Sequence, residues 1–326
     1  MADRHLFVWQ QSLSVGLVAI GVGFMAGLNL PINRVLNQSN TPKALLVKQQ
    51  TLDPSTSHVK TLIAQQDEAF RKVIAALSLE TKVSRLNSPI PVQFQGKTIR
   101  EVQFNNQDKA IAPSGSAKPS SEETSLKPIA LTFDDGPWPT VTSQVLDILK
   151  KNNVKATFFM VGRQVQRYPQ LVKQVVAEGH ALGNHTWNHQ YHFFNESAAA
   201  RELEDTASLI YKTTGVKTSL FRPPAGILNN GLVSYAHAKK HAVIMWSVDS
   251  RDWRYYGSTA QGLVDSVLKD AKPGGVVLMH DGGGDRSTTI KALPSLITQL
   301  KKRGYKLVTV PELLEMGNKK SLTNKD

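Results

Sequence analysis

This sequence of 326 residues contains no cysteine. The absence excludes disulfide bridges, thiolate nucleophiles and zinc sites built from cysteine. Any metal ion that the protein binds must therefore be held by histidine, aspartate or glutamate side chains. A chain without cysteine is compatible with any compartment, so the absence carries no information about location.

Aromatic residues are also few, at 7%, and no basic stretch is interleaved with them. A platform for single-stranded nucleic acid needs both features together. The net charge of +13 comes from lysines and arginines that are scattered along the chain. We therefore expect no nucleic-acid partner, and the positive charge suits an anionic membrane or wall surface equally well.

Long hydrophobic runs are absent except near the N-terminus. The stretch "LSVGLVAIGVGFMAGLNL", Leu13 to Leu30, has no charged residue and lies between Arg4 and Arg34. As a helix it would span about 27 Å at ~1.5 Å per residue, close to one hydrocarbon core. We expect a membrane anchor rather than a signal peptide, because no A-x-A cleavage pattern is present. Arg4 on the inside would place the rest of the chain outside the cytoplasm.

Between this anchor and the C-terminal part, the composition changes several times. Apolar residues near a 3.6 period predict an amphipathic helix over Thr61 to Leu79. Alternation over Ile90 to Phe104 predicts a hairpin that turns near Gly96. The sequence therefore predicts three regions before the C-terminal domain: an N-terminal membrane segment (1–36), a small accessory α+β region (37–111) that opens with a spacer (37–54), and a Pro/Ser/Gly-rich linker (112–127).

From Pro128 onward, short apolar runs alternate with helical patterns. Seven such strand-then-helix units are typical of an α/β fold with a parallel, barrel-like sheet. We assign this domain to residues 128–317, followed by a polar tail (318–326). The predicted strands are "IALTF", "ATFFMVG", "HALGNH", "SLFRP", "AVIMWSVD", "GGVVLMHD" and "KLVTV".

Reactive side chains fall at the ends of these predicted strands. In a parallel barrel the carboxyl ends of the strands meet at one face, which is where functional groups lie. The residues concerned are Asp134 and Asp135, His185 and His189, Arg222, Asp249 and Asp252, and His280 and Asp281.

The adjacent carboxylates of Asp134 and Asp135 repel each other, and burying either without a partner is unfavourable. In "HTWNH", His185 and His189 lie four residues apart and would converge on one ion if this loop makes a helical turn. One carboxylate would complete a His/His/Asp set that leaves positions open for water and substrate. Neighbouring residues that leave a strand point in different directions, so we expect the two aspartates to have different roles.

Each feature also has an ordinary explanation. The sequence "DDG" is common turn chemistry, and a histidine pair four residues apart is common on a solvated helix face. His280 alone could be a buried core histidine, and "DGGGD" after it is typical of a mobile loop rather than a phosphate cradle. The joint placement of these features favours the functional interpretation.

In this order and spacing, "TFDDGP", "HTWNH", "RPPAG", "DSRDW" and "LMH" resemble the five signature motifs of the polysaccharide deacetylase family. This is the fourth carbohydrate-esterase family, whose domains are also called chitooligosaccharide deacetylase homology domains. The resemblance covers about Pro128 to Gly317. It implies a distorted (β/α) barrel of seven or eight strands and metal-dependent removal of N-acetyl or O-acetyl groups from glycans.

Carried over residue by residue, the resemblance implies that Asp135, His185 and His189 hold a divalent ion. Zinc is usual in the family, with cobalt or manganese as alternatives. Asp134 would be the general base on the metal-bound water, and His280 the general acid for the leaving amine.

The resemblance also implies two positioning residues and a substrate groove. Arg222 would orient Asp134, and Asp252 would pair with His280. The groove for the acetyl methyl group would be lined by Trp253 and Leu278, with Pro224 and Ala225 in the loop of the third motif.

Ala225 departs from the family pattern, which usually has an aromatic residue before the glycine of "R-x-P-x-G". The backbone N–H donor that the family takes from this loop survives the change. The aromatic wall that this residue would provide for the sugar is lost. Four other aromatic residues of predicted loops fit stacking on sugar rings and ordinary packing equally well: Trp138, Trp187, Tyr191 and Tyr255.

The sequence therefore predicts a polysaccharide N-deacetylase that acts on a polymer containing N-acetylglucosamine. Peptidoglycan is the first candidate, because an anchor would hold the domain beside the wall, and chitin-like oligomers come next. The protein would be extracytoplasmic and membrane-anchored, or secreted if the segment is cleaved. The alternatives are an O-acetyl esterase of the acetylxylan type and a catalytically silent glycan-binding module. No oligomeric state is predicted.

Overall fold

The structure is a computed structural model that describes residues 57–104, 127–254 and 259–323. By its internal contacts the chain divides into Met1–Leu62 and Ile63–Asp326, and the described residues fall mostly in the second unit. No helix in these ranges is long and apolar enough to cross a membrane. Four predicted features lie outside the described residues: the membrane segment Leu13 to Leu30, the spacer 37–54, most of the linker 112–127, and Tyr255.

The described strands are β1 Thr98–Ile99, β2 Lys127–Asp134, β3 Thr157–Met160, β4 Ala181–Asn184, β5 Leu220–Phe221, β6 Ala242–Ile244, β7 Val248–Asp249, β8 Val276–His280 and β9 Tyr305–Val308. They form one parallel sheet, in the order β1-β6-β5-β4-β3-β2-β8-β7, with β9 also paired to β2. This curled sheet confirms the predicted α/β fold with a barrel-like parallel sheet.

Helices connect most of these strands, as parallel pairing requires. The first helix after β2 begins with a proline in its first turn and ends with two lysines, both favoured at those positions. The described helices are α1 Ser57–Leu86, α2 Pro139–Lys151, α3 Gly162–Arg167, α4 Pro169–Ala177, α5 Glu196–Ala200, α6 Thr206–Thr214, α7 Leu232–Ala238, α8 Ala260–Asp270, α9 Ser287–Lys302 and α10 Val310–Thr323.

The two faces of the sheet bury different apolar clusters. On β2, Leu131 and Phe133 join the larger cluster, whereas Ala130 joins a second cluster on the opposite face. Phe158 and Phe159 divide in the same way, because successive side chains of a strand point to opposite faces. Burial on both faces explains why these strands read as continuous apolar runs.

The predicted strand "AVIMWSVD" is in fact two strands. β6 pairs with β5 and β1, and β7 pairs with β8, with residues 245–247 between them. The break has a structural reason: the carbonyl oxygens of Ile244 and Met245 accept hydrogen bonds from the side chain of Arg222. The chain therefore leaves the sheet at the residues whose carbonyls bond to Arg222.

The predicted hairpin over Ile90 to Phe104 is wrong. A 3₁₀ turn, Val92–Phe94, precedes β1, which pairs in parallel with β6 of the main sheet. The Val102 amide then donates to the carbonyl of Gly274, whose φ is 82°. A Cβ at Gly274 would lie 1.8 Å from the Val102 carbonyl oxygen, so only glycine allows this approach. The alternating pattern was a strand signal, but the strand's partner is distant in sequence.

The predicted helix over Thr61 to Leu79 is confirmed as part of α1. Four residues of its predicted apolar face are exposed, however, namely Phe70, Val73, Ile74 and Leu77, with Phe70 at 58%. The helix instead contacts the main core through its last turns, where Val83 and Leu86 pack. Asn87, just after the helix, donates to the carbonyl of Gly215 and accepts from the amide of Lys217, which fastens this end.

Candidate metal centre and active site

The predicted reactive residues converge at one edge of the sheet, where the strands reach their carboxyl ends. Asp134 ends β2, His280 ends β8, and the two are register partners. His185 follows β4, Arg222 follows β5 and Asp249 ends β7. This edge opens into a cavity of about 770 Å³, in which the Asp134, Asp249, His185 and His280 side chains take part. The placement is the one expected of a parallel α/β sheet.

Asp135, His185 and His189 form a compact cluster of metal-ligating atoms. One oxygen or nitrogen from each lies within 4.8 Å of the others. The Oδ1 atom of Asp135 lies 3.1 Å from Nε2 of His189 and 3.5 Å from Nε2 of His185. Three side chains from two separate loops thus point at one volume.

The chemistry of this cluster fits a divalent cation. Nδ1 of His185 lies 2.7 Å from the carbonyl oxygen of Arg222, which can only accept, so in the neutral ring Nε2 presents a lone pair. Oδ1 of Asp135 is buried without a hydrogen-bond partner among the described residues. Burial acts to raise the pKa of Asp135, but His185 and His189 outweigh it and hold the pKa well below 3.8. An ionised oxygen and an imidazole lone pair that face each other need a cation between them.

The loop that carries the two histidines is not the predicted helical turn. Thr186 and His189 have φ values of 66° and 56°, a left-handed conformation that non-glycine residues rarely adopt. Hydrogen bonds stabilise it: the His189 amide donates to Oγ1 of Thr186, and the Thr186 amide donates to Oδ1 of Asn184. His192, by contrast, is outside the ligating cluster and bonds to its own loop. Strain retained at a loop of this kind is typical of functional sites.

Glu202 accepts hydrogen bonds from this loop. Its role was not recognised from the sequence. Its Oε2 accepts the backbone amides of Trp187 and Asn188 at 2.8 and 2.9 Å, and its Oε1 accepts the side-chain amide of Asn188. The carboxyl is buried and lies in a π-helical turn, Arg201–Asp205. Such turns frequently occur at functional sites because they redirect one side chain. Glu202 is therefore a positioning residue for the two histidines.

Arg222 is completely buried and is bonded to Asp134. Its Nη1 donates to Oδ1 of Asp134 at 2.7 Å and to Oγ1 of Thr132, while Nε and Nη2 donate to the carbonyls of Ile244 and Met245. Burial lowers the pKa of Arg222 from its usual value, and the charge of Asp134 opposes that shift. Because one oxygen of Asp134 is held by the guanidinium, the other, Oδ2, is the one that faces His185, at 3.8 Å.

His280 is paired with Asp252, as predicted. Nδ1 of His280 lies 2.7 Å from Oδ1 of Asp252, whose Oδ2 accepts the His280 amide and the Thr289 hydroxyl. Burial acts to lower the pKa of His280, but the hydrogen bond and charge of Asp252, with the charges of Asp134 and Asp135, raise it above 6.5. Burial likewise acts to raise the pKa of Asp252, but the hydrogen bond and charge of His280 have the larger effect, so the pKa is lowered. The pairing with Asp252 therefore favours the protonated form of His280.

The surroundings of Gly136 explain why a glycine follows the two aspartates. A Cβ there would lie 2.3 Å from Oδ2 of Asp281, a carboxyl buried directly behind the turn. Asp281 accepts a hydrogen bond from the Thr142 hydroxyl, which in turn accepts the Trp138 amide. Burial raises the pKa of Asp281 to about 7, against the opposing effect of the Thr142 bond. The motif therefore needs glycine for a close approach as well as for a turn.

The predicted substrate-binding residues divide into two groups. Trp253, Leu278 and Ala225 line the cavity. Pro224 is buried, and its neighbour Pro223 lines the cavity instead. The reason is the 3₁₀ turn that begins at Pro224 and brings Ala225 to a φ of 52°.

Three aromatic side chains besides Trp253 line the cavity: Trp138, Tyr191 and Trp246. Trp246 was not singled out from the sequence, because it appeared to lie inside a continuous strand. Its indole packs against Gly226, where a Cβ would lie 2.7 Å from the ring. Trp187 is not part of the lining, and its ring packs against Gly162. An aromatic wall thus exists beside Ala225, supplied by a different element.

Charged and polar residues that were not identified from the sequence also line the cavity. Arg163, Gln164 and Arg167 of α3 contribute to its lining. Arg286 is buried, donates to the carbonyl of Gly282 and lies 3.8 Å from Oδ2 of Asp135. The only signal for the α3 residues was their position directly after a strand end, in "GRQVQR".

Comparison with known proteins gives one family and several relatives. The family model described as Polysaccharide deacetylase matches residues 121–244. The chain is similar to a peptidoglycan-N-acetylglucosamine deacetylase of Bacillus cereus, with 46% identity over 193 residues that cover 58% of this chain and 88% of that protein.

Solved structures share the fold. The Bc1960 peptidoglycan N-acetylglucosamine deacetylase superimposes with a TM-score of 0.55 and 36% identity, over 58% of this chain and 88% of that one. BA3943 of Bacillus anthracis, described as a CE4 family pseudoenzyme, has a TM-score of 0.54 and 33% identity, over 58% and 66% of the two chains. Identity at this level, together with the matched coverage, extends the likeness beyond fold alone.

We predict that Glu202→Ala weakens metal binding without unfolding the protein. The two histidines would lose the three hydrogen bonds that hold their loop, and loss of an outer-shell partner reduces metal affinity by roughly 10- to 100-fold. Cobalt(II) titration of the metal-free protein, followed by visible absorption, measures the affinity.

Glu202→Gln should recover much of the affinity, since its amide oxygen can still accept the backbone amides. Glu196→Gln, at an exposed position on the preceding helix, is the matched control. Equal cobalt affinity in Glu202→Ala and the control would show that Glu202 does not position the histidines.

Proposed function

This chain belongs to the polysaccharide deacetylase family, and we propose that it is a metal-dependent deacetylase that removes N-acetyl groups from N-acetylglucosamine in peptidoglycan. The observation that carries the proposal is the cavity in which Asp135, His185 and His189 converge beside Asp134 and His280. A ligand set, a base and an acid in one cavity are what hydrolysis of an acetamide requires.

Asp135, His185 and His189 would hold the ion. When bound, a divalent cation supplies Lewis acidity that polarises the acetyl carbonyl and lowers the pKa of water. Zinc suits a set of two imidazole nitrogens and one carboxylate oxygen, and cobalt or manganese could replace it. Arg286 adds a fixed positive charge next to Asp135 and leaves its Oδ1 for the ion.

Asp134 acts as the general base. Its Oδ1 is held by Arg222 at 2.7 Å, so the carboxylate cannot rotate and its Oδ2 is available to accept a proton from the attacking water. Arg222 is itself fixed by three further hydrogen bonds, so the base keeps one orientation throughout. A positioned base of this kind contributes roughly 10²- to 10⁴-fold to the rate.

His280 acts as the general acid. Nδ1 is engaged by Asp252, which leaves Nε2 to give its proton to the departing amine nitrogen. The hydrogen bond and charge of Asp252 raise the pKa of His280, which favours the protonated form that an acid needs. The second donor to the developing oxyanion would be a backbone amide of the loop at Ala225.

Three tryptophans line the cavity for the sugar. Trp246 supplies an aromatic wall next to Ala225, and Trp138 and Trp253 are partly exposed, at 37% and 44%. Exposed aromatic faces in a cavity suit the apolar faces of sugar rings. These residues indicate that the substrate is a polymer that occupies several subsites rather than a small acetylated molecule.

The choice of polymer rests on the relatives, which include proteins named as peptidoglycan-N-acetylglucosamine deacetylases. A chitin-like oligomer is the next candidate, and an acetylxylan would use the same chemistry. A silent binding module has less support, because Asp135, His185 and His189 cluster together and because Asp134 and His280 are each paired with a second charged residue.

The test is acetate release from peptidoglycan, N-acetylchitooligosaccharides and acetylxylan, with zinc or with chelator. The protein should retain residues 57–326, because β1 belongs to the sheet. We expect zinc-dependent release, highest from peptidoglycan, and a loss of about 100-fold or more in Asp134→Asn.

Asp134→Asn should keep its cobalt affinity, since the ligand set is unchanged, and that measurement separates a lost base from a lost ion. No acetate from any of the three polymers, with metal demonstrably bound to wild type, would overturn the proposed activity.

The pH dependence of kcat/KM should follow the protonation of His280. As the acid must be protonated, kcat/KM should fall as pH rises through the pKa of His280, which lies above 6.5. Asp252→Asn removes the charge that raises this pKa, so the alkaline limb should move to lower pH. Asp249→Asn is the matched control, since this carboxylate lines the same cavity without bonding His280. An alkaline limb that stays in place in Asp252→Asn would contradict the assignment of the acid.

We also propose that Leu13 to Leu30 anchors the protein in a membrane with the catalytic domain outside the cytoplasm. The uncharged 18-residue stretch supports this arrangement. The full chain should stay in the membrane pellet after an alkaline carbonate wash, and a chain without residues 1–36 should not. A full-length protein released by the wash would contradict the anchor.

A further inference from the structure

Helix α3 places two arginines at the cavity. Arg163 and Arg167 lie four residues apart, on one face of the helix, and both contribute to the cavity lining. Both side chains are exposed to solvent. They are positioned by a short helix that begins directly after β3, at the carboxyl edge of the sheet that carries the reactive residues.

Nothing in the described part of the fold accounts for this pair of charges. Neither guanidinium forms an ion pair with a described carboxylate, whereas Arg286, which lines the same cavity, is buried and hydrogen-bonded. Two like charges four residues apart destabilise a helix. A pair of charges that weakens its own helix and has no ion-pair partner among the described residues is available for a ligand.

The side chain between them points the same way. Gln164 also lines the cavity, and its Oε1 is buried without a hydrogen-bond partner among the described residues. A buried, unpaired amide oxygen is unfavourable unless a ligand or water satisfies it. Gln164 can accept a hydrogen bond from a hydroxyl or amide while the arginines donate.

Helix α3 is rigidly connected to the metal-ligating loop. The Gly162 amide donates to the carbonyl of Thr186, and the Arg163 amide donates to the carbonyl of Trp187. Gly162 also allows the Trp187 ring to approach, since a Cβ there would lie 2.6 Å from it. The backbone that carries the two arginines is therefore bonded directly to the loop of the histidines, as a neighbouring substrate subsite requires.

We propose that Arg163 and Arg167 form a carboxylate-binding subsite that selects an anionic glycan over a neutral one. The inference rests on the proposed function. The guanidinium fork matches a carboxylate, and unlike lysine it holds the group in a defined orientation. Chitin has no such group, whereas peptidoglycan carries a lactyl carboxyl, free or extended by a peptide, on the sugar next to each N-acetylglucosamine.

The test compares two substrates of equal length. One is N-acetylchitotetraose, which is neutral, and the other is a peptidoglycan tetrasaccharide stripped of peptides, so that its lactyl carboxylates are free. The double variant Arg163→Gln/Arg167→Gln should raise KM for the anionic substrate by about tenfold and leave KM and kcat for the neutral one unchanged. Added salt should raise the wild-type KM for the anionic substrate only.

The control variant is Arg71→Gln/Lys302→Gln, which removes the same charge from exposed positions outside the cavity lining. It separates a local subsite from the general effect of net charge on association. We expect both substrates to behave in this control as they do in wild type. An equal loss on both substrates in Arg163→Gln/Arg167→Gln, or no loss on either, would overturn the subsite.

Binding measured by calorimetry on the Asp134→Asn background distinguishes this proposal from the proposed function. If wild type releases no acetate but the anionic tetrasaccharide still binds tighter than the neutral one, and only when both arginines are present, the subsite stands and the activity fails. If acetate is released and binding shows no preference, the activity stands and the subsite fails.

Discussion

The site depends on a guanidinium buried in the middle of the sheet. Arg222 has no exposed surface, so its charge is tolerated only because Asp134 neutralises it and a hydroxyl and two carbonyls accept three further hydrogen bonds from it. These partners come from β2 and from the end of β6, and the Arg222 carbonyl holds His185. One residue therefore links the base, a metal ligand and the break between β6 and β7. Removing the guanidinium would leave the carboxylate of Asp134 buried without its partner, which is more unfavourable than the loss of a surface ion pair.

Two adjacent aspartates can coexist because each has different partners. Asp134 is bonded to Arg222, and Asp135 faces two imidazoles at the volume that fits a dication. The chain turns between them: Asp135 has a φ of 74°, and Gly136 leaves room for the carboxyl of Asp281. Left-handed backbone also occurs at His189 and Ala225, so the strained non-glycine residues of the cavity are those that carry its ligands and its loop donor.

Much of this site was predictable from the sequence, since its residues lie at the ends of apolar strands and parallel strands share one carboxyl edge. His185, Arg222 and His280 were placed in this way. The break after Ile244 was not, because its cause is a side chain that lies more than twenty residues earlier in the sequence. The partner of β1 was missed for a similar reason, as alternation identifies a strand without identifying its neighbour. The role of Glu202 could not be predicted, because in the sequence a glutamate that accepts backbone amides cannot be distinguished from any other glutamate of a helix.

The central claim is that Asp135, His185 and His189 together hold one catalytic metal ion. The most direct measurement is anomalous diffraction at the zinc absorption edge from crystals of the zinc-loaded protein. We predict a single strong peak bounded by Oδ1 of Asp135 and Nε2 of both histidines, and its absence in Asp135→Ala. A zinc peak held by other residues, or none at this position while zinc is bound in solution, would contradict the account.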